Sequence, residues 1–256
     1  MQAGVSDSAA TPTRVQKVVL YATAGAVTLA AWLWLIGLSG APHRAHMAFM
    51  SLQPHGATFG EFASAAAMWL AMTAAMMTPT VMDWLLTFAA LSRDRGAGRG
   101  FGPVAAFGAG YFVVWVGYSL IAAAVQLILA HAGFLEMHGR IAARAGGAIL
   151  VAAGLIYFTP LNRACLLHCR NPLTFFLARW KDGPRGGFGF GLTHGAYCVG
   201  CCWAVMATAF AMGVMNLMWM AFLTLLISVE KLAPHGARIA AVAAGGMTIW
   251  GLVLLF

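Results

Sequence analysis

The sequence predicts an all-α polytopic membrane protein, a transmembrane helix bundle of about seven spans with a cytoplasmic N-terminus. Hydrophobic residues make up 61% of the chain and charged residues only 9%, whereas about a quarter of a soluble domain is charged. Uncharged runs long enough to cross a bilayer, about 20 residues each, occupy residues 18–43, 62–82, 100–135, 145–162, 186–229 and 239–256. The fifth run is long enough for two spans, which gives seven.

The distribution of basic residues predicts the orientation. With seven spans and the N-terminus inside, the outer side holds only Arg44, Arg140 and Arg144 of the fifteen Lys and Arg residues. Basic residues concentrate in cytoplasmic segments of membrane proteins. The net charge of +8 therefore reports topology, the lipid bilayer is the expected surrounding, and nucleic-acid binding is not indicated.

The elements follow from the runs. Residues 1–13 form a polar leader that we expect to be disordered or interfacial, and residues 14–256 form a single transmembrane helical domain. Helices are expected at about 15–38, 61–91, 101–130, 140–159, 188–209, 214–229 and 239–256. Pro79 should kink the second helix because it removes a backbone donor. Residues 165–172 are expected to form a cytoplasmic loop.

Three of the five cysteines lie close together in the longest uncharged run. His194, Cys198, Cys201 and Cys202 fall at roughly 0°, 40°, 340° and 80° around a helix, because each residue advances by about 100°. All four side chains therefore share one face. A buried cysteine is often only a small apolar residue, but three within five positions favour metal binding over packing.

A second group of sulfur side chains lies in the second predicted helix. Met68, Met72 and Met76 recur every four residues, and Met77 follows them. This spacing places the first three along one helical stripe, at the depth predicted for Cys198–Cys202. Methionine also fills gaps in packed helices. Thiolate and thioether ligands together nevertheless favour Cu(I), so copper is predicted ahead of zinc.

Two further features are candidate functional groups. Cys165, His168 and Cys169 form half of a metal site, which predicts a second metal-handling position on the cytoplasmic side. Reduced cysteines near a membrane boundary are the alternative. Asp83 is a carboxylate inside the predicted bilayer, where ionisable residues are expected to be functional, although an interfacial role beside Arg93 is the alternative.

Several functions are compatible with these patterns. The leading hypothesis is a membrane protein that binds Cu(I) and serves copper transfer, storage or insertion into a partner cuproenzyme. An enzyme is the second, either a copper oxidase or monooxygenase component, supported by His43, His46 and His55, or a thiol oxidoreductase using the C-x2-C spacing of Cys198 and Cys201. A structural subunit of a larger membrane complex is the third.

The same segments resemble a bacterial family of predicted metal-binding integral membrane proteins, the domain of unknown function 2182. The matching residues are Trp69, Met72, Ala75, Met76, Met77 and Pro79, together with Gly191, Gly195, Cys198, Gly200, Cys201, Cys202, Trp203 and Met206. The segment from Cys165 to Pro172 also resembles the family. This resemblance implies a multi-pass protein of the bacterial inner membrane that binds metal, and it assigns no reaction.

Overall fold

The computed structural model describes residues 11–39, 59–94, 101–136 and 140–256. Their helices are α1 (Arg14–Ser39), α2 (Phe59–Met77), α3 (Met82–Asp94), α4 (Gly102–His131), α5 (Ala143–Tyr157), α6 (Pro160–Cys169), α7 (Pro172–Arg179), α8 (Gly183–Met212), α9 (Leu217–Leu232) and α10 (Gly236–Leu255). A 3-10 turn, Pro79–Val81, joins α2 to α3, and a two-stranded antiparallel hairpin, β1 (Leu135–Glu136) and β2 (Arg140–Ile141), precedes α5. Residues 1–10 of the predicted leader and His43, His46 and His55 lie outside the described residues.

The predicted helical membrane fold is confirmed. Within the described residues, α1, α4, α8 and α10 are each long and apolar enough to cross a bilayer. The number of such spans rises to six if each of two bent pairs, α2 with α3 and α5 with α6, counts as one. Helix α9 has only 16 residues, and seven spans remain a prediction.

Two local expectations have different outcomes. The chain bends by 43° at the break before Pro79, so the kink predicted from the missing backbone donor is confirmed. The expected loop over residues 165–172 is wrong, because α6 is helical through Cys169 and α7 starts at Pro172. Thr159 begins α6 by accepting a hydrogen bond from the Asn162 backbone, and prolines fit the first turns of both helices.

Helices α4 and α8 pack closely because α8 presents glycines to its neighbour. A Cβ atom on Gly191 would collide with the carbonyl oxygen of Phe107 and lie 2.8 Å from the backbone nitrogen of Tyr111. Small residues allow membrane helices to approach in this way. The close approach places Tyr111 of α4 beside the side chains that extend from the middle of α8.

We therefore expect Gly191→Ala to destabilise the protein. The added methyl group overpacks the contact with α4, which costs about 1–3 kcal/mol. Gly108→Ala is the matched control, because a Cβ there meets nothing within 4 Å. Thermal unfolding in detergent micelles should show a lower midpoint for Gly191→Ala alone. Equal midpoints for the two variants would contradict this account of the α4–α8 contact.

The helices α5, α8, α9 and α10 form the part of the bundle farthest from the start of α8. Gly146 of α5 lies against Ala211 near the end of α8, and Gly147 lies against Gly251 of α10. From that level α5 and α9 run back alongside α8, and their 15 and 16 residues are about half of the 30 residues of α8. Both then end, far short of the start of α8.

Three helix interruptions lie close together where α5 and α9 end. They are the break between α2 and α3, the break between α5 and α6, and the turn between α9 and α10. The Tyr157 hydroxyl at the end of α5 donates to the carbonyl of Ala237 in α10 at 3.0 Å, which joins two of them. Non-helical backbone inside a bilayer is tolerated only where protein or a cavity surrounds it. Such interruptions commonly form binding sites in membrane proteins.

Candidate metal centre

The thiols of two helices meet at the level of the interruptions. Cys169 ends α6, and its sulfur lies 3.8 Å from the sulfur of Cys201 in α8. The sulfurs of Cys201 and Cys202 are 3.5 Å apart. The Cys201 sulfur also donates to the carbonyl of Cys198 at 3.2 Å. We call these four residues the thiol cluster. All four are buried and free of disulfides.

A lysine completes the surroundings of the cluster. The Nζ atom of Lys231, in the last turn of α9, donates to the sulfur of Cys198 at 2.9 Å. Lys231 is itself buried, and a buried ammonium group needs a charged or strongly polar partner. The hydroxyl of Tyr111 also lies 3.2 Å from the Cys198 sulfur. Cys198 is therefore the thiol of the cluster that contacts both the ammonium group and the phenol hydroxyl.

Hydrogen bonds from side chains to backbone carbonyls hold α6 and the α9–α10 turn against the cluster. The indole nitrogen of Trp84 in α3 donates to the carbonyl of Cys169 at 2.8 Å. The next residue, Arg170, donates to the carbonyls of Glu230, Ala233 and Pro234. A cation suits these carbonyls because the end of a helix leaves them unpaired and partly negative. Arg170, which directly follows Cys169, thereby connects the end of α6 to the turn that follows Lys231.

The predicted methionine stripe divides between two regions of the core. Met68, Met72, Met76 and Met77 are all buried. Met76 and Met77 belong to the same hydrophobic cluster as the cysteines, whereas Met68 and Met72 pack in a second cluster. In the second cluster, the neighbouring Trp69 contacts Phe210 with ring centroids 5.4 Å apart. The stripe therefore leads from the thiol cluster toward the far end of α8.

Two histidines stack in an aromatic group below the cluster. The ring of His194 lies 3.9 Å from Trp84 and 5.3 Å from Tyr111, measured between centroids. His168 stacks on Tyr197 at 3.8 Å. Nδ1 of His194 and Nε2 of His168 are buried without a hydrogen-bond partner among the described residues. Unpaired buried nitrogens of this kind are rare and call for an explanation.

The predicted second site is not held together as a unit. Cys169 belongs to the thiol cluster, and His168 lies in the aromatic group. Cys165 packs beside Gly200, where a Cβ atom would lie 3.0 Å from its sulfur. The three residues thus face different neighbours, and Cys165 is a matched control for the four cluster cysteines because it is also buried.

In the described part of the chain, no group of three or more His, Cys, Asp or Glu side chains is arranged to hold a metal ion. The two sulfur–sulfur contacts of the cluster share Cys201, which approaches Cys169 and Cys202. With a metal–sulfur bond of about 2.3 Å, two sulfurs can share an ion while they are up to about 4.6 Å apart. The separation of 3.8 Å between Cys169 and Cys201 therefore permits two-sulfur binding, whereas three or four sulfur ligands would require movement.

Sequence reasoning missed two parts of this centre. Lys231 was counted only with the other basic residues that predict the orientation. An ionisable residue within an apolar segment is, however, a functional signal by itself. Cys169 was assigned to a separate site because 32 residues separate it from Cys201. A helix that bends back inside the bundle leaves no periodic signal that would have joined them.

The fold and the thiol cluster together define a class, a helical membrane protein with a buried site suited to a soft metal ion. The model of the PpoB2 family, described as a copper chaperone, matches residues 66–254. This match covers most of the chain, and the protein belongs to the PpoB2 copper chaperone family. No curated protein and no solved structure matches the chain.

Family membership confirms the predicted function in its general form, a membrane protein that handles copper. The matched region contains all five cysteines and the methionine stripe, and it begins after α1. The resemblance to the domain of unknown function 2182 is compatible with a membrane copper family. Copper binding follows from the family, and its oxidation state and the residues that hold it are treated below.

Proposed function

We propose that this chaperone carries Cu(I) on the thiols of Cys169, Cys198, Cys201 and Cys202 and delivers it to a partner cuproenzyme. The observation that supports this most directly is the meeting of four buried thiols from two helices at the helix interruptions. Soft thiolates select Cu(I) among the metals that proteins bind. Zinc is disfavoured because a structural zinc site has four protein ligands, and in the described residues no group of three or more His, Cys, Asp or Glu side chains is arranged to hold an ion.

The charge of the site also supports a monovalent ion. Two thiolates with Cu(I) carry a net charge of −1, which the ammonium group of Lys231 neutralises at 2.9 Å from Cys198. The same two thiolates with a divalent ion would leave Lys231 as an uncompensated buried charge. Burial of an unpaired charge is strongly unfavourable. The lysine thus favours Cu(I) over zinc when two sulfurs bind.

The methionines and histidines have secondary roles in this proposal. Met76 and Met77 are the thioethers nearest the cluster, and Met72 and Met68 extend the thioether path toward the outer end of the bundle. His194 and His168 offer unpaired ring nitrogens below the cluster, where they would serve as further ligands or proton acceptors. The resemblance to a bacterial membrane-protein family supports an inner-membrane location in a bacterium, and the distribution of Lys and Arg supports a cytoplasmic N-terminus.

The family description favours carriage over the other hypotheses. A chaperone binds a metal and releases it to another protein, whereas an oxidase, a thiol oxidoreductase and a structural subunit do not. The contact between the Cys169 and Cys201 sulfurs fits this task, because two-sulfur binding can pass through a shared intermediate in which a recipient thiol or thioether replaces one ligand.

A Cu(I) titration tests the proposal. The purified protein is reduced and titrated against a coloured Cu(I) chelator, and bound copper is counted. We expect tight uptake by the wild type and by Cys165→Ser, and loss of uptake in the triple variant Cys198→Ser, Cys201→Ser, Cys202→Ser. Cys165 is the matched control because it is a buried cysteine outside the cluster. Absence of uptake by the wild type, or equal uptake by the triple variant, would refute the proposal.

A further inference from the structure

Helix α1 leaves a groove on the lateral surface of the bundle. The groove has a volume of about 390 Å³ and is bounded by Tyr21, Gly25 and Thr28 of α1 on one side and by Asp83 and Leu232 on the other. It therefore opens beside the break between α2 and α3 and beside the residue that follows Lys231. Only Gln16, Ala31 and Leu35 of α1 are buried, so most side chains of this helix are at least partly exposed in the described structure.

Asp83 lies within the bent pair of α2 and α3, which together are long and apolar enough to cross a bilayer. Arg93 and Thr13 line the same small cavity, so the basic end of α3 lies beside the start of α1. Asp83 precedes Arg93 by ten residues, or about 15 Å of helix, which is half of a hydrocarbon core of about 30 Å. Its side chain is exposed, and none of the described residues that line the groove is cationic. Its charge therefore calls for a cation supplied from outside the groove.

The shape of the groove suits a helix. Ala24 and Thr28 are small residues one turn apart on the wall formed by α1, and a Cβ atom on Gly25 would meet nothing within 4 Å. Small residues at this spacing allow a second helix to approach closely. A lipid chain would also fill apolar space, but lipid cations remain at the membrane surface. Only a protein helix presents Lys, Arg or His at the depth of Asp83.

The geometry points to a docking site for a transmembrane helix of a partner protein that carries a basic side chain near the middle of the membrane. The helix would lie against Gly25 and Thr28 of α1, and its cation would pair with Asp83. A partner held there lies one layer of side chains from Lys231 and hence from the thiol cluster. The inference does not depend on copper binding, and its test uses metal-free protein, so that the two proposals can fail separately.

The test uses a designed helix as the probe. The protein carries a donor dye on its N-terminal amine and is placed in phosphatidylcholine vesicles with a Leu- and Ala-rich transmembrane peptide that carries an acceptor dye. One peptide has a single central Lys, and its control has Leu at that position. We expect energy transfer to report about tenfold tighter binding of the Lys peptide, a preference that is lost in Asp83→Asn. Asp83→Lys should instead prefer a peptide with a central Glu.

Steric variants test the groove independently of charge. Gly25→Leu should fill the groove and weaken binding of the Lys peptide about tenfold. Gly37→Leu should leave binding unchanged, because Gly37 is also an open position on α1 but lies about two turns beyond Leu29, the last residue of α1 that lines the groove. Equal binding of the Lys and Leu peptides, or no effect of Asp83→Asn, would overturn the proposal. Energy transfer between two labelled copies that Gly25→Leu abolishes would also overturn it, since a second copy would then occupy the groove.

Discussion

Replacement of Lys231 by Met should weaken Cu(I) binding by at least about 30-fold while leaving the fold intact. The ammonium group lies 2.9 Å from the Cys198 sulfur and compensates the negative charge of a dithiolate copper complex. Truncation of one partner of a buried charge pair costs about 2–5 kcal/mol, and the lower figure corresponds to roughly 30-fold in affinity. Competition with a Cu(I) chelator measures the change.

Thermal stability distinguishes this electrostatic role from a structural one. Met has nearly the shape of Lys, and an apolar residue in place of a buried charge is often neutral or stabilising, provided that Cys198 can take up a proton. We therefore expect an unfolding midpoint no lower than that of the wild type. Lys181→Met is the matched control because Lys181 is exposed, and it should bind copper normally. Unchanged affinity in Lys231→Met would exclude the role assigned to this residue.

Replacement of Arg170 by Ala should lower the free energy of unfolding by about 3 kcal/mol. Its guanidinium group donates to three carbonyls at the α9–α10 turn, and a hydrogen bond to a charged group contributes about 1.5–3 kcal/mol. The figure is less than three full bonds because the contact with Pro234 is exposed. Unfolding in detergent micelles, followed by circular dichroism, gives the measurement.

A conservative variant sharpens the test of Arg170. Lys keeps the charge but lacks the planar fork that reaches several acceptors, so Arg170→Lys should recover only part of the lost stability. Arg179→Ala is the control, because Arg179 is exposed at the end of α7. If Arg170→Ala and Arg179→Ala unfold alike, the hydrogen bonds of Arg170 to the α9–α10 turn contribute nothing measurable to the free energy of unfolding.

The membrane fold could be predicted because its signal is local and repeated. Long uncharged runs identify α1, α4, α8 and α10 as spans, and Pro79 marks the bend in the chain by its own covalent structure. The number of spans could not be fixed in the same way. Helices α5 and α9 run only part of the length of α8, and hydropathy cannot show whether an apolar segment crosses the bilayer or turns back inside it.

The candidate site was predictable on one helix and not between helices. Cys198, Cys201 and Cys202 share a face because of helical geometry alone. Cys169 joins them only because the chain bends between α5 and α6. Lys231 joins them only because α9 ends after 16 residues. The sequence predicted the methionine stripe of α2 as the partner of these thiols. Met76 and Met77 of the stripe lie in the same hydrophobic cluster as the cysteines. Contacts between distant segments depend on packing, which the periodicity of a single segment does not encode.

In the proposed copper site, the meeting of three chain segments at one ion has a consequence for the lifetime of the protein. Cys169, the thiols of α8 and Lys231 come together only in the folded bundle, so the ion binds the unfolded chain more weakly. Selective binding of this kind adds about 4 kcal/mol of stability when free ligand exceeds its dissociation constant a thousandfold. Copper then acts as a removable cross-link, and a carrier that has delivered its ion opens more readily to membrane proteases than one that is still loaded.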